Sequence, residues 1–183
     1  MTDSVRLTLI SHAMTDAMSA GRFPADEPLS ATGRRQAQMV ADVVVGPGAI
    51  QLAGPELRAR ETAELLGLHA RTDPSLTDLD CGRWRGLNLR DVCPGQLQVW
   101  LTDPVQAPHG GESILDLIAR VAGWLESVAN AAGQTVAVTH PAVIRAATLL
   151  ALGSPAESFW RIDIAPVGRT VMRFRDHRWT VRL

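Results

Sequence analysis

Two stretches decide the fold, Val5-Arg6-Leu7-Thr8-Leu9-Ile10-Ser11-His12 and Thr135-Val136-Ala137-Val138-Thr139-His140. The first alternates, is β-branched in part, and stops at Ser11-His12, so it reads as a strand that delivers a histidine at its C-terminal end. The second is a short apolar run that reads as a buried strand and stops at His140-Pro141. In open α/β sheets ligands bind outside the carboxyl ends of the strands. Two separate strands that each finish in a histidine therefore place both imidazoles on the ligand-binding edge.

Working outward, Ser30-Ala31-Thr32-Gly33 offers an N-cap, and Ala37, Val40, Ala41 and Val44 recur at helical spacing until Gly46-Pro47-Gly48. Ala49 to Ala53 reads as a second buried strand, and Leu57 to Leu66 as a helix stopped by Gly67. The stretch from Thr72 to Gly111 has weak periodicity, with one short helix around Gln96 to Leu101; long irregular connections in compact domains are often functional. Ile114, Ile118, Val121, Leu125 and Val128 step at helical spacing, which predicts an amphipathic helix broken at Gly133. Val143 to Leu152 reads as a further helix with Pro141 in its first turn. Val171 to Phe174 and Trp179 to Leu183 read as a closing hairpin around Asp176-His177. Strands alternating with helices predict one α/β domain over residues 1–183, a three-layer α/β/α arrangement with a mostly parallel central sheet.

With 183 residues, 46% apolar and 20% charged, the chain suits one soluble domain with a real core. No apolar run reaches the roughly 18 residues of a membrane span, and Met1 to Ser11 lacks the pattern of a signal peptide, so the expectation is a cytoplasmic protein without a membrane partner. A net charge of −1 argues against a broad nucleic-acid surface. All 18 basic residues are arginine, which excludes Schiff-base and P-loop lysine chemistry. Cys81 and Cys93 are too few for a disulfide framework or a structural zinc site and read as plain thiols.

Four blocks then fall into a familiar order. Ser11-His12-Ala13-Met14-Thr15 resembles the Arg-His-Gly signature, with Thr two residues on, of the histidine phosphatase (phosphoglycerate-mutase-like) superfamily. Leu29-Ser30-Ala31-Thr32-Gly33-Arg34-Arg35-Gln36-Ala37 is similar to its Leu-Thr-x-x-Gly-x-x-Gln-Ala helix start. Gly54-Pro55-Glu56-Leu57-Arg58-Ala59-Arg60-Glu61-Thr62-Ala63 resembles Ser-Pro-Leu-x-Arg-Ala-x-x-Thr-Ala, and Val136 to His140 resembles Val-x-Val-Ser-His. Weaker echoes are Leu76-Thr77-Asp78 with Asp80-Cys81-Gly82-Arg83-Trp84-Arg85-Gly86, and Gly110-Gly111-Glu112-Ser113. The resemblance covers nearly the whole chain.

It implies a phosphoglycerate-mutase-like fold and a phosphomonoesterase that needs no cofactor and no metal, with a small phosphorylated substrate or inorganic phosphate as partner. His12 would attack phosphorus, which requires a neutral ring with one nitrogen free. Arg58, as a planar fork of donors, and His140 would hold the phosphoryl oxygens, with Ser11 and Thr15 as further phosphate ligands. Asp78 would protonate the leaving oxygen and then activate water, Asp80 and Glu112 being the other candidates. Two departures matter. Ser11 stands where the family has arginine, and a lost donor of that kind costs about 100- to 1,000-fold in rate. Asp78 is one methylene shorter than the usual glutamate. The alternative function is therefore a phosphate-ester-binding pseudoenzyme of the same fold. Arg22 or Arg60 is a candidate replacement for the missing arginine, and oligomeric state, a homo-oligomer included, is left open. His69, His109 and His177 lie in turn-rich contexts and read as solvated, and Arg83, Arg85 and Arg90 as a solvated basic run beside the cleft. The tryptophans, Trp84 among them, read as packing.

Overall fold

The computed structural model describes residues 5–40, 43 and 45–182. Six strands form one sheet: β1 (Val5–Ser11), β2 (Ile50–Ala53), β3 (Arg71–Thr72), β4 (Gln134–Thr139), β5 (Arg169–Arg175) and β6 (Arg178–Arg182). Their order is β3-β2-β4-β1-β5-β6. The pairs β3–β2, β2–β4 and β4–β1 are parallel, and the β5–β6 hairpin closes the sheet antiparallel to β1. Its turn carries positive φ at Asp176 and His177 (51° and 60°), the left-handed pair that suits a two-residue hairpin connection.

Among the described residues six α-helices accompany the sheet: α1 (Asp16–Ser19), α2 (Ala31–Met39), α3 (Leu57–Leu65), α4 (Pro94–Thr102), α5 (Ile114–Asn130) and α6 (Pro141–Leu152). The alternation of β1 splits the core in two. Leu7 and Leu9 join Leu117, Val121 and Leu125 of α5 and Val143 and Ile144 of α6 in one cluster. Ile10, with Val136 and Val138 of β4, packs instead on Ala59 and Ala63 of α3. Helices thus cover both faces, the three-layer arrangement that strand–helix alternation requires. Each buried leucine or valine of α5 contributes about 1.5–3 kcal/mol. Ser113 and Asp116 close a capping box at that helix's N-terminus.

Helix α2 ends at Met39, short of the expected stop at Gly46, and Ala41 and Val44 lie outside the described residues. Gly33 in α2 is obligatory: a Cβ there would sit 2.0 Å from the Met14 carbonyl oxygen. The 72–111 segment contains α4 and three short 3-10 turns, so it is more ordered than its sequence suggests. Among the described residues no helix is long and apolar enough to cross a membrane.

Candidate active site

Because β1 and β4 are adjacent and parallel, with Ser11 in register with Thr139, the residues just past both strands meet. The rings of His12 and His140 lie 5.2 Å apart, edge to face. His12 Nδ1–H donates to the Ala13 carbonyl at 2.8 Å, so Nε2 carries the free lone pair. Burial, then His140, then Arg58 pull the His12 pKa down to about 3, which keeps the ring neutral. The loop behind it is tied to α3, because Thr62 Oγ1 accepts from Ala13 N (3.0 Å) and donates to Arg58 O (2.7 Å).

Helix α3 delivers Arg58 into the same place, 2% exposed. Its guanidinium donates from Nη1 to Ala25 O at 2.7 Å and from Nη2 to Asp78 Oδ2 at 2.6 Å. Nε has no partner in a buried position. Asp78 is therefore within reach despite its shorter side chain, and it lies 3.5 Å from His140 Nδ1. Burial alone pushes its carboxyl up; His140 and Arg58, with the hydrogen bond from Leu79 N, outweigh that and hold it below the usual range.

One carboxylate escapes the sequence reading. Glu56 Oε2 accepts from His140 Nε2 at 2.7 Å, while Oε1 accepts from Thr77 Oγ1 and Asp78 N at 2.6 and 2.9 Å. These donors overcome burial and keep it ionised well below the ordinary carboxylate range. The available signal was a charged residue at the leucine of the Ser-Pro-Leu-x-Arg pattern. Gly54 belongs to the same arrangement, since a Cβ there would lie 2.9 Å from His140 Nε2.

The remaining candidates scatter. Ser11 is fully buried and its Oγ has no partner, which suits a weak phosphate ligand and supplies no charge. Thr15 Oγ1 accepts from Met18 N as the cap of α1. Asp80 accepts from Gly82 N in an exposed turn. Glu112 takes Nε and Nη2 of Arg120 at 2.8 and 2.9 Å, so it is not free to act as an acid. Arg22 lines a cavity of about 180 Å³ beside His12, whereas Arg60 is exposed on α3. His69 and His177 are exposed as expected, but His109 is not. It is fully buried against Trp84 and Trp100, and its Nδ1 accepts from Gly111 N. Cys81 is a buried free thiol, pushed by burial up to about 12.

Comparison with known proteins gives the family. The family model for the histidine phosphatase superfamily (branch 1) matches residues 7–183. Phosphoserine phosphatase 1 of Hydrogenobacter thermophilus is 28% identical over 95% of this chain and 89% of its own. The glucosyl-3-phosphoglycerate phosphatase of Mycolicibacterium vanbaalenii is 30% identical over 84% of this chain and 77% of its own. A mycobacterial glucosyl-3-phosphoglycerate phosphatase solved with VO3 superposes with a TM-score of 0.85 at 29% identity, covering 97% of each chain. With a bare, neutral His12 facing Arg58 and His140, and a family match spanning nearly every residue, the chain belongs to the histidine phosphatase superfamily.

Proposed function

We propose that the chain is a phosphomonoesterase that hydrolyses a small phosphorylated metabolite through a phosphohistidine on His12, without a metal ion. The observation that carries the reading is the state of His12, whose Nδ1 is engaged and whose Nε2 is bare and neutral. An imidazole so held needs no separate base to become a nucleophile. Its relatives' names, which specify phosphoserine and glucosyl-3-phosphoglycerate, support a small phosphorylated substrate.

Nε2 attacks phosphorus in line with the leaving oxygen, and Arg58 and His140 take up charge on the equatorial oxygens. Those two groups also hold Asp78 ionised at rest. As they turn to the phosphoryl oxygens, burial of the Asp78 carboxyl prevails, and it takes up the proton that the incoming phosphate monoester brings as its monoanion. The acid is thereby available only when a phosphoryl group is present. Asp78 gives that proton to the departing alkoxide. It then takes one from the water that cleaves the phosphorus–nitrogen bond, which releases inorganic phosphate and bare His12.

A second reading, a binding protein with little turnover, is favoured by the neutral Ser11 and by the engagement of Arg58 with Asp78. Hydrolysis of an aryl phosphate between pH 5 and 8 in the presence of a chelator separates the two. The enzyme reading expects activity in wild type that disappears in His12→Ala. Phosphate binding with no turnover in either protein would establish the second.

A further inference from the structure

Resting on the phosphatase reading, the positive charge that Ser11 does not supply can be sought among the cations around His12. Once Asp78 has taken the ester's proton, the transferring group carries two negative charges, which a single guanidinium matches incompletely. Arg58 comes from α3, on one face of the sheet. Ser11 faces the other. Side chains alternate along β1, so Ser11 lies on the side of Leu7 and Leu9, which share a core with Val143 and Ile144 of α6. It is in register with Thr139, one residue before the His140 cap of that helix.

Arg145 begins the second turn of α6, and helical side chains lean towards the N-terminus, here back towards His140. With His12, Arg58 and Asp78 it lines the cavity of about 180 Å³. Its Nε donates to the Ile162 carbonyl at 2.7 Å. Its guanidinium carbon lies 5.8 Å from the centre of the Phe159 ring and 5.4 Å from that of Trp160. Trp160 packs in turn on Trp100, ring centres 4.4 Å apart, and both line the same cavity.

The rear of the guanidinium is therefore fixed and its tip is not. Among the described residues neither Nη1 nor Nη2 has an acceptor, and no carboxylate lies within ion-pair distance. Neither nitrogen is fully buried, so both are open to a ligand. Burial lowers the Arg145 pKa and Asp163 and Asp78 oppose that, but an arginine keeps its charge throughout. Arg22 lines the same cavity, yet it is exposed and no hydrogen bond to a described residue holds its side chain. A donor already fixed in place is worth more to a transition state than one that must first be ordered.

We propose that Arg145 is the second phosphoryl-binding guanidinium of this site, supplying through Nη1 and Nη2 the positive charge that Ser11 lacks. Arg58 from one face of the sheet and Arg145 from the other then bracket the group that His12 attacks.

Inorganic phosphate is the probe, because it binds without turnover. Its Kd is read by calorimetric titration, with hydrolysis of an aryl phosphate and thermal melting alongside. Arg145→Gln should raise the Kd on the order of tenfold, the worth of a charged hydrogen bond. It should lower kcat/KM about 100-fold, with kcat falling as well as KM rising. Ser11→Arg, which returns a guanidinium from β1, should restore most of the lost phosphate affinity in the Arg145→Gln background. Melting shows whether that buried substitution folds, and Arg145→Lys, which keeps a charge at the same place on α6, is the second rescue. An unchanged Kd in folded Arg145→Gln overturns the proposal and leaves the phosphatase reading intact. A raised Kd that neither rescue improves assigns Arg145 to packing on Phe159 and Trp160, and overturns it too. Phosphate affinity that depends on Arg145, in a wild type that hydrolyses no ester, upholds the second cation and removes the phosphatase reading. A wild type that neither binds millimolar phosphate nor hydrolyses the ester removes both.

Discussion

Arg58 and Arg120 line the same cavity, each pairs with a carboxylate, and both grip the Asp78 segment, yet they are built to opposite ends. Arg120 is closed. Nε and Nη2 are bound to Glu112, while Nη1 reaches the carbonyls of Ser75 and Thr77. Arg58 is open: it holds the Asp78 carboxylate and one carbonyl, but its buried Nε has no acceptor. A guanidinium with every direction satisfied fixes a loop. One left with a donor unanswered in a buried site bears a desolvation cost that only a ligand relieves. The comparison teaches that, on the proposed phosphatase reading, the unsatisfied cation is the better candidate for the phosphoryl position than the fully paired one.

The largest expected effect breaks the open member. Arg58→Lys keeps a charge but loses the fork, so kcat/KM should fall about 100- to 1,000-fold, the cost of removing a fixed donor to the transition state. Steady-state kinetics on an aryl phosphate measures this. A loss of less than threefold would show that the unanswered Nε has no part in catalysis.

Breaking the closed member should act on the fold instead. Arg120→Met leaves Glu112 and the carbonyls of Ser75, Thr77 and Asp78 without their donor, and unfolding in urea should lose about 2–3 kcal/mol. The folded fraction should retain kcat/KM within tenfold. A large loss of activity at unchanged stability would reverse the roles assigned to the two arginines.

How far this contrast was legible in the sequence depends on the range of each contact. His12 and His140 were visible because buried parallel strands write themselves as short apolar runs, and each run ended in a histidine. Arg58 came from its motif at the start of α3. Glu56 was not legible, because its partner His140 lies 84 residues away and meets it only once β2 pairs with β4. Arg120 sits half-buried on α5, where an amphipathic pattern reports apolar positions and says nothing of a polar residue folded inward. His109 was misjudged for a related reason: its turn-rich surroundings suggested solvent, while the aromatic rings that enclose it come from distant elements.

A third expectation sharpens the electrostatic side of the contrast. His12 is neutral in the folded site with a pKa of about 3, against an ordinary value of 6.5. The unfolded chain therefore binds more protons below pH 6.5, and stability must fall as pH falls from there towards 3. Each unit of pH removes up to about 1.4 kcal/mol on this account. Burial also lowers His109, which adds to the slope in the same direction. Denaturant titrations between pH 7 and 4.5 should show this decline, and His12→Gln should flatten it in part. An unchanged slope in that variant would mean that His12 is not held neutral by the fold.

The smallest expected effect lies at Ser11, which immediately precedes His12. Its Oγ is buried without a partner, so the folded chain gains nothing from the hydroxyl and bears its desolvation. Ser11→Ala should leave stability unchanged or raise it by less than about 1 kcal/mol. Phosphate tells a different part of the story. If the hydroxyl waits for a phosphoryl oxygen as Arg58 Nε does, the same variant should raise the Kd for inorganic phosphate a few-fold, about the worth of one neutral hydrogen bond. An unaltered Kd, together with a more stable fold, would leave Arg58 Nε and His140 Nδ1 as the unanswered buried groups of this site, and the buried share of phosphate binding would then rest on that guanidinium and that imidazole.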